Sequence, residues 1–320
     1  MVLHGAGAYR RLLPLLDGSR SRGQVLNEAG EQAGEVLALL EQAGLVLDAD
    51  DLQPAGLDRA ERERLAPDIA SLSLLHGRHV ATALLARRSA RVVVHGAGRV
   101  GAPLAALLSA AGVGTVDVRD DGQARLGDTA VGGLTTIDLG RPRAEAVNAR
   151  LRTAGSRRQP ALVVLTDTDA EVTAAVLVQA RTPHLLARVD EVVGTVGPLV
   201  LPGSPCLRCL ELTRTALDPG WPALAAQLDR PGRGPQSCDG VLAVAVASQA
   251  ALQVLELLEG GRPASIGGTL ELELPGWRWR RRSWPQHPGC PCAWAAAPAG
   301  PPDEPEHGQQ DDTAADPRAA

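Results

Sequence analysis

The chain has no phenylalanine, one tyrosine and five tryptophans in 320 residues. Its core must therefore be built from Leu, Val and Ala, with little of the volume that aromatic rings supply. It also has no lysine: all 32 basic residues are arginine. That excludes any site needing an ammonium on a flexible stem, including a Walker A phosphate loop and a Schiff-base mechanism. Arginine for lysine, beside abundant Ala, Gly and Pro, points to a GC-rich coding bias more than to chemistry. No apolar run reaches the roughly 18 residues of a membrane span, and no signal-peptide core opens the chain. No membrane partner and a cytoplasmic location are expected. A net charge of −5, with a pI of about 5.8, argues against nucleic-acid binding through a broad basic face.

What is present is globular in composition, with 44% hydrophobic and 22% charged residues. Four segments are expected. Residues 1–50 carry Leu12, Leu13, Leu15 and Leu16 before an Asp17-Gly18 turn. An amphipathic stretch from Glu28 to Glu41 follows, then Gly44 and a short strand at Leu45-Val46-Leu47. Two helices and a short strand predict a winged-helix-like module; a helical extension packed on the main domain is the other reading. Residues 51–89 read as a helical linker, with helix from about Arg59 to Arg87 broken near Pro67 and Gly77. Residues 90–295 alternate β-branched runs with helical stretches, as at Val92-Val93-Val94, Thr115 to Arg119 and Ala161 to Leu165. They predict an α/β fold with a mostly parallel sheet. A C-terminal antiparallel hairpin is predicted over Thr269 to Leu274 and Trp277 to Arg282. Residues 202–237 read as loops with one helix near 222–229, and residues 296–320 as a disordered tail.

Three motifs carry chemistry. Gly96-x-Gly98-x-x-Gly101 follows a strand and opens a helix, the setting a dinucleotide fingerprint needs. Gly96 permits the turn, Gly98 admits a phosphate to the backbone, and Gly101 permits close helix packing. Asp120, 24 residues after Gly96, ends the next strand, where it can accept hydrogen bonds from ribose hydroxyls. Glycines kept for packing alone are the alternative. Asp167 and Asp169 end the third strand and suit Mg²⁺ binding or helix capping equally. The pairs Cys206/Cys209 and Cys290/Cys292 offer four thiolates for a structural Zn²⁺. Cys238 precedes a helix and is either a transfer nucleophile or a small residue at a helix start. His95 and His184 suit core packing, His287 is a bystander, and Arg278 to Arg282 with Trp277, Trp279 and Trp284 suits an exposed hairpin face.

The order of these parts resembles the ThiF/MoeB/E1 superfamily. The resemblance rests on the glycine loop, the acid at Asp120, Gly140-Arg141-Pro142-Arg143, Pro205-Cys206-Leu207-Arg208-Cys209 and His287-Pro288-Gly289-Cys290-Pro291-Cys292. It implies a Rossmann-like fold, a zinc staple and adenylation of the C-terminal carboxylate of a ubiquitin-like carrier protein. Gly96, Gly98 and Gly101 would cradle ATP, Asp120 would hold the ribose, Arg143 would stand for a phosphate-contacting lysine, and Asp167 or Asp169 would bind Mg²⁺. Where the family has Asn and Arg, this chain has Gly127-Asp128-Thr129-Ala130-Val131, which implies a depleted ATP site. The chain is more similar still to the ThiF-like partners of azole-forming cyclodehydratases. Leu15-Leu16-Asp17-Gly18, Ala43-Gly44-Leu45-Val46, Thr182-Pro183-His184 and Val196 to Gly203 carry that likeness. It implies binding of a precursor peptide's leader, presentation to a YcaO-type partner and, as in many relatives, a homodimer. A nicotinamide oxidoreductase shares the loop and Asp120 but needs a catalytic Lys or His–acid pair not evident here.

Overall fold

A computed structural model of the chain describes residues 10–30, 33–49, 51–52, 56–151, 158–166, 170–228 and 237–292. Its frame is a sheet that, among the described residues, has seven strands in the order β2-β1-β3-β4-β5-β6-β7. They are β1 (Arg91–His95), β2 (Thr115–Arg119), β3 (Leu162–Leu165), β4 (His184–Asp190), β5 (Val193–Val200), β6 (Gly268–Glu273) and β7 (Arg278–Ser283). The first four are parallel, and β5, β6 and β7 each run antiparallel to the strand before. Because β6 again follows the first four, five of the seven strands point one way. The α/β sheet and the C-terminal hairpin are as the sequence predicts.

The helices are α1 (Arg22–Ala29), α2 (Ala33–Gln42), α3 (Arg59–His76), α4 (Val80–Ser89), α5 (Gly101–Ala110), α6 (Arg143–Asn148), α7 (Ala170–Gln179), α8 (Leu207–Leu217), α9 (Trp221–Leu228) and α10 (Gly240–Leu258). Strand alternation divides the core between the two sheet faces. Val92, Val94, Leu162, Leu185 and Ala187 face α5 and α10; Val93, Val163, Leu165 and Leu186 face α7, α8 and the cysteines. By length and composition α10 is apolar enough to cross a membrane. Yet Leu242, Ala243, Val246, Ala247, Ala250 and Val254 are fully buried, packed against β4, β5 and α5. It is the core helix of the sheet.

Four local expectations change. The stretch from Glu28 to Glu41 is not one helix, because Gly30 takes φ +91° and ends α1. Leu45-Val46-Leu47 forms no strand. Leu45 is 60% exposed, and no other strand among the described residues of this module is there to pair its backbone. Pro67 does not break α3; Asp58 caps the helix from Glu61 N, and buried Leu65 and Leu72 hold it on both sides of the proline. The break comes at Gly77, at φ +53°. Finally, residues 207–217 are helical rather than loop.

Residues 59–89 are bonded to the sheet domain. Buried Arg87 donates to Glu259 (2.7 Å) and to the Ala111 carbonyl (3.1 Å), and His76 Nε2 meets the same Glu259 at 2.7 Å. A separate cluster of Leu12, Val25, Leu37 and Leu40 is the core of the N-terminal module. At the other end of the sheet, all six residues of the outermost strand β7 are exposed. Asp167, Asp169 and the 296–320 tail lie outside the described residues.

Candidate functional site: a glycine-loop crevice and a four-cysteine cluster

The crevice is built at the carboxyl end of β1. Gly96 leaves the strand at φ +97°, a backbone state open to glycine. Gly101 has no room for a Cβ, since the Gly96 carbonyl and Thr166 Oγ1 crowd the position. Thr166 donates to the His95 and Gly96 carbonyls at 2.8 and 3.2 Å and so fastens the turn to β3. Gly98 is different: a Cβ there would meet nothing within 4 Å. Open space at the middle glycine, before a helix N-terminus, fits the approach of a phosphate.

The ribose side does not fit in the same way. Asp120 is 6% exposed, and one oxygen accepts from Ala97 N at 2.8 Å. The other accepts from Gly122 N at 2.7 Å and from Arg143 Nε at 2.9 Å. Three of about four acceptor positions are thereby used. Arg143, placed by the first turn of α6, packs over Gly122 and also reaches Asp128 at 3.5 Å. The acid expected to hold ribose and the cation expected to hold phosphate are paired with each other. Arg143, expected to contact a phosphate, lies beside two nearly buried carboxylates, which stabilise its half-buried guanidinium.

Cys238 lies beside the crevice. Its carbonyl accepts from Arg99 of the glycine loop at 2.6 Å, and its backbone bridges to Glu191 at the end of β4. Burial pushes its thiol pKa up, against the pull of Arg99. Asp239 caps α10, accepting from Val241 N (2.8 Å) and Leu242 N (3.0 Å). Cys238 is half-buried directly before the Asp239 cap of α10.

The cysteines behave otherwise. Cys206 precedes α8, and Cys209 sits within its first turn because Cys209 N bonds the Cys206 carbonyl at 3.0 Å. The segment after β7 brings Cys290 and Cys292 back to them. The sulfur separations are 3.9 Å (Cys206–Cys209), 3.6 Å (Cys206–Cys290) and 3.4 Å (Cys209–Cys292). All four sulfurs lie within 4.8 Å of one another, and no disulfide forms. A tetrahedron with metal–sulfur bonds of about 2.3 Å has edges of about 3.8 Å, so the set fits a closed four-thiolate ion site. Burial raises the Cys206 pKa far above the ordinary thiol range and pushes Cys290 to about 11. A bound cation would offset that by stabilising the thiolates. His287 stays outside, accepting from Gly289 N through Nδ1 at 3.1 Å.

Sequence reasoning placed both sets of residues but missed Arg99, Asp128 and the helix that presents Cys209. Only the helix left a signal, in Leu207 and Leu210 spaced three apart and both buried.

Residues 80–175 match the ThiF family. No curated protein sequence matches the chain. Among solved structures, the chain is similar to the Microcin C7 biosynthetic enzyme MccB in complex with N-formylated MccA, at a TM-score of 0.67 and 13% identity over 92% of each chain. It is similar to E. coli MccB with ATP, at 0.66 and 14% identity over 91% of this chain and 92% of that one. PaaA matches at 0.64 with 19% identity, over 79% of this chain and 91% of its own. The ThiF match starts in α4 and ends in α7, and the fold shared with these structures extends over most of the chain.

Proposed function

We propose that the chain binds a ribosomally made precursor peptide and presents it to a cyclodehydratase-type partner of the YcaO class in the cytoplasm. One structural zinc ion on Cys206, Cys209, Cys290 and Cys292 holds its frame. The observation that carries the peptide reading is the fold shared, over nearly the whole of both chains, with MccB solved in complex with MccA. The mutual pairing of Asp120 and Arg143 favours presentation over adenylation, because the two groups that would grip a nucleotide are spent on each other. The N-terminal helical cluster around Leu12 and Leu37 is assigned to leader recognition. Calorimetric titration with precursor peptides encoded beside the gene is the test. Tight binding that disappears when residues 1–50 are deleted is expected; no binding to any of them overturns the reading.

A second reading, adenylation of a peptide or of a ubiquitin-like carrier, is favoured by the open face of Gly98 and by the fold shared with MccB solved with ATP. Peptide-dependent ATP–pyrophosphate exchange, abolished by Asp167→Ala or Asp169→Ala, would establish it in place of the first.

A further inference from the structure

A cavity of about 350 Å³ lies under α8, on the antiparallel half of the sheet and on the cysteine face. Its floor is laid out by strand register. Asp190, Val193 and Glu273 form the outer row across β4, β5 and β6; Arg188, Thr195 and Glu271 form the next. Its roof comes from Glu211 and Arg214 of α8 and from Trp221 at the start of α9. The lining carries five carboxylates against three guanidiniums.

Each of those guanidiniums is already matched from within. Arg188 pairs with Asp190 at 2.9 Å, Arg214 with Glu211 at 3.0 Å, and Arg282 with Glu271 at 3.5 Å. Arg214 is further held between the rings of Trp221 (4.8 Å) and Trp284 (5.2 Å), so it is not free to turn to an anion. Within the lining the unmatched sign is negative, while Arg278 and Arg280 of β7 continue the two rows beyond Glu273 and Glu271. Glu273, exposed at the mouth, makes no ion pair among the described residues. With two strand spacings between them, the Asp190 and Glu273 backbones stand about 10 Å apart across Val193. A single guanidinium or ammonium over Val193 would sit between them, with Glu271 one row further in. The outer row also adjoins the crevice. Glu191, next to Asp190, bridges to Cys238, whose carbonyl is bonded to Arg99 of the glycine loop.

We infer that this cavity receives a basic side chain, arginine or lysine, of the bound peptide. The inference rests on the peptide-binding reading above and adds the charge class of the ligand and the place where it is read. The test uses the full chain and two blocked tripeptides, acetyl-Gly-Arg-Gly-amide and its citrulline analogue, a neutral near-isostere. Binding is followed by the indole N–H resonance of Trp221. The arginine peptide should shift that signal, with the shift weakening as salt rises. The citrulline peptide should bind about tenfold more weakly, the size of one charge-assisted contact. Glu273→Gln, at an exposed position that leaves the fold intact, should reduce arginine binding several-fold and leave the citrulline peptide unchanged. Equal binding of the two peptides, or no change at Trp221 with either, overturns the inference. If a precursor peptide binds in the calorimetric test while these peptides fail, the cavity assignment alone falls; if neither binds, both fall.

Discussion

The cysteine cluster and the glycine-loop crevice are both gathered from distant parts of the chain, but they differ in what their polar groups are doing. Four sulfurs converge on a common centre with little else to bond. In the crevice, Asp120, Asp128, Arg143 and Arg99 converge equally well, but on one another and on backbone groups. A set of donors aimed at one common point fits a ligand; a set whose members satisfy each other fits framework. Two motifs of comparable strength in the sequence therefore differ in how many of their polar groups are already paired.

The contrast breaks most sharply at the sulfurs. Cys209→Ser should take zinc content, measured by plasma mass spectrometry, from one ion per chain to none. Several kcal/mol of stability should go with it, since structural zinc contributes on the order of 10 kcal/mol in small sites. Native protein free of zinc, with a variant of unchanged melting temperature, would put the cluster in the framework class instead.

A smaller effect separates the glycines. Gly101→Ala forces a methyl against the Gly96 carbonyl and Thr166 and should cost about 1–3 kcal/mol in urea unfolding. Gly98→Ala has space and should leave the unfolding curve within about 0.5 kcal/mol. If both are silent, the loop is looser than its contacts imply.

The smallest effect comes from a group intermediate between the two classes. His184 is fully buried; its Nδ1 is 3.0 Å from the Thr182 carbonyl, and its Nε2 has no partner among the described residues. Burial lowers its pKa below the ordinary 6.5. The folded chain thus keeps the ring neutral, while the unfolded chain takes up a proton as pH falls through about 6.5. Stability present above that pH should decline below it, by at most about 1.4 kcal/mol per pH unit for one proton. His184→Gln should flatten the slope between pH 6.5 and 5 in denaturant titrations; an unchanged slope would show that the proton goes elsewhere.

Most of the fold was legible because its signals are local. Val92-Val93-Val94 is a β-branched run, the glycine loop has fixed spacing, and Cys206/Cys209 lie within one helical turn. What stayed hidden depended on distance. Arg143 is 23 residues from the acid it neutralises, and no spacing rule links them. The reversal of β5 followed from a short turn between Asp190 and Val193 that carries no Gly or Pro. Pro67 and Leu45-Val46-Leu47 misled for the opposite reason. Local propensity pointed one way at each, and anchoring by Leu65 and Leu72, or the lack of a neighbouring strand, decided the outcome.

The outermost strand has a consequence of its own. A row of backbone amides left without a neighbour is where one molecule can zip onto another and grow into an aggregate. Arg278, Arg280, Arg281 and Arg282 line that border, so two such borders meeting would bring eight cations together. Mutual repulsion would keep the molecules apart in dilute buffer and fade as counterions accumulate, which makes concentrated salt the condition under which this protein would begin to self-associate.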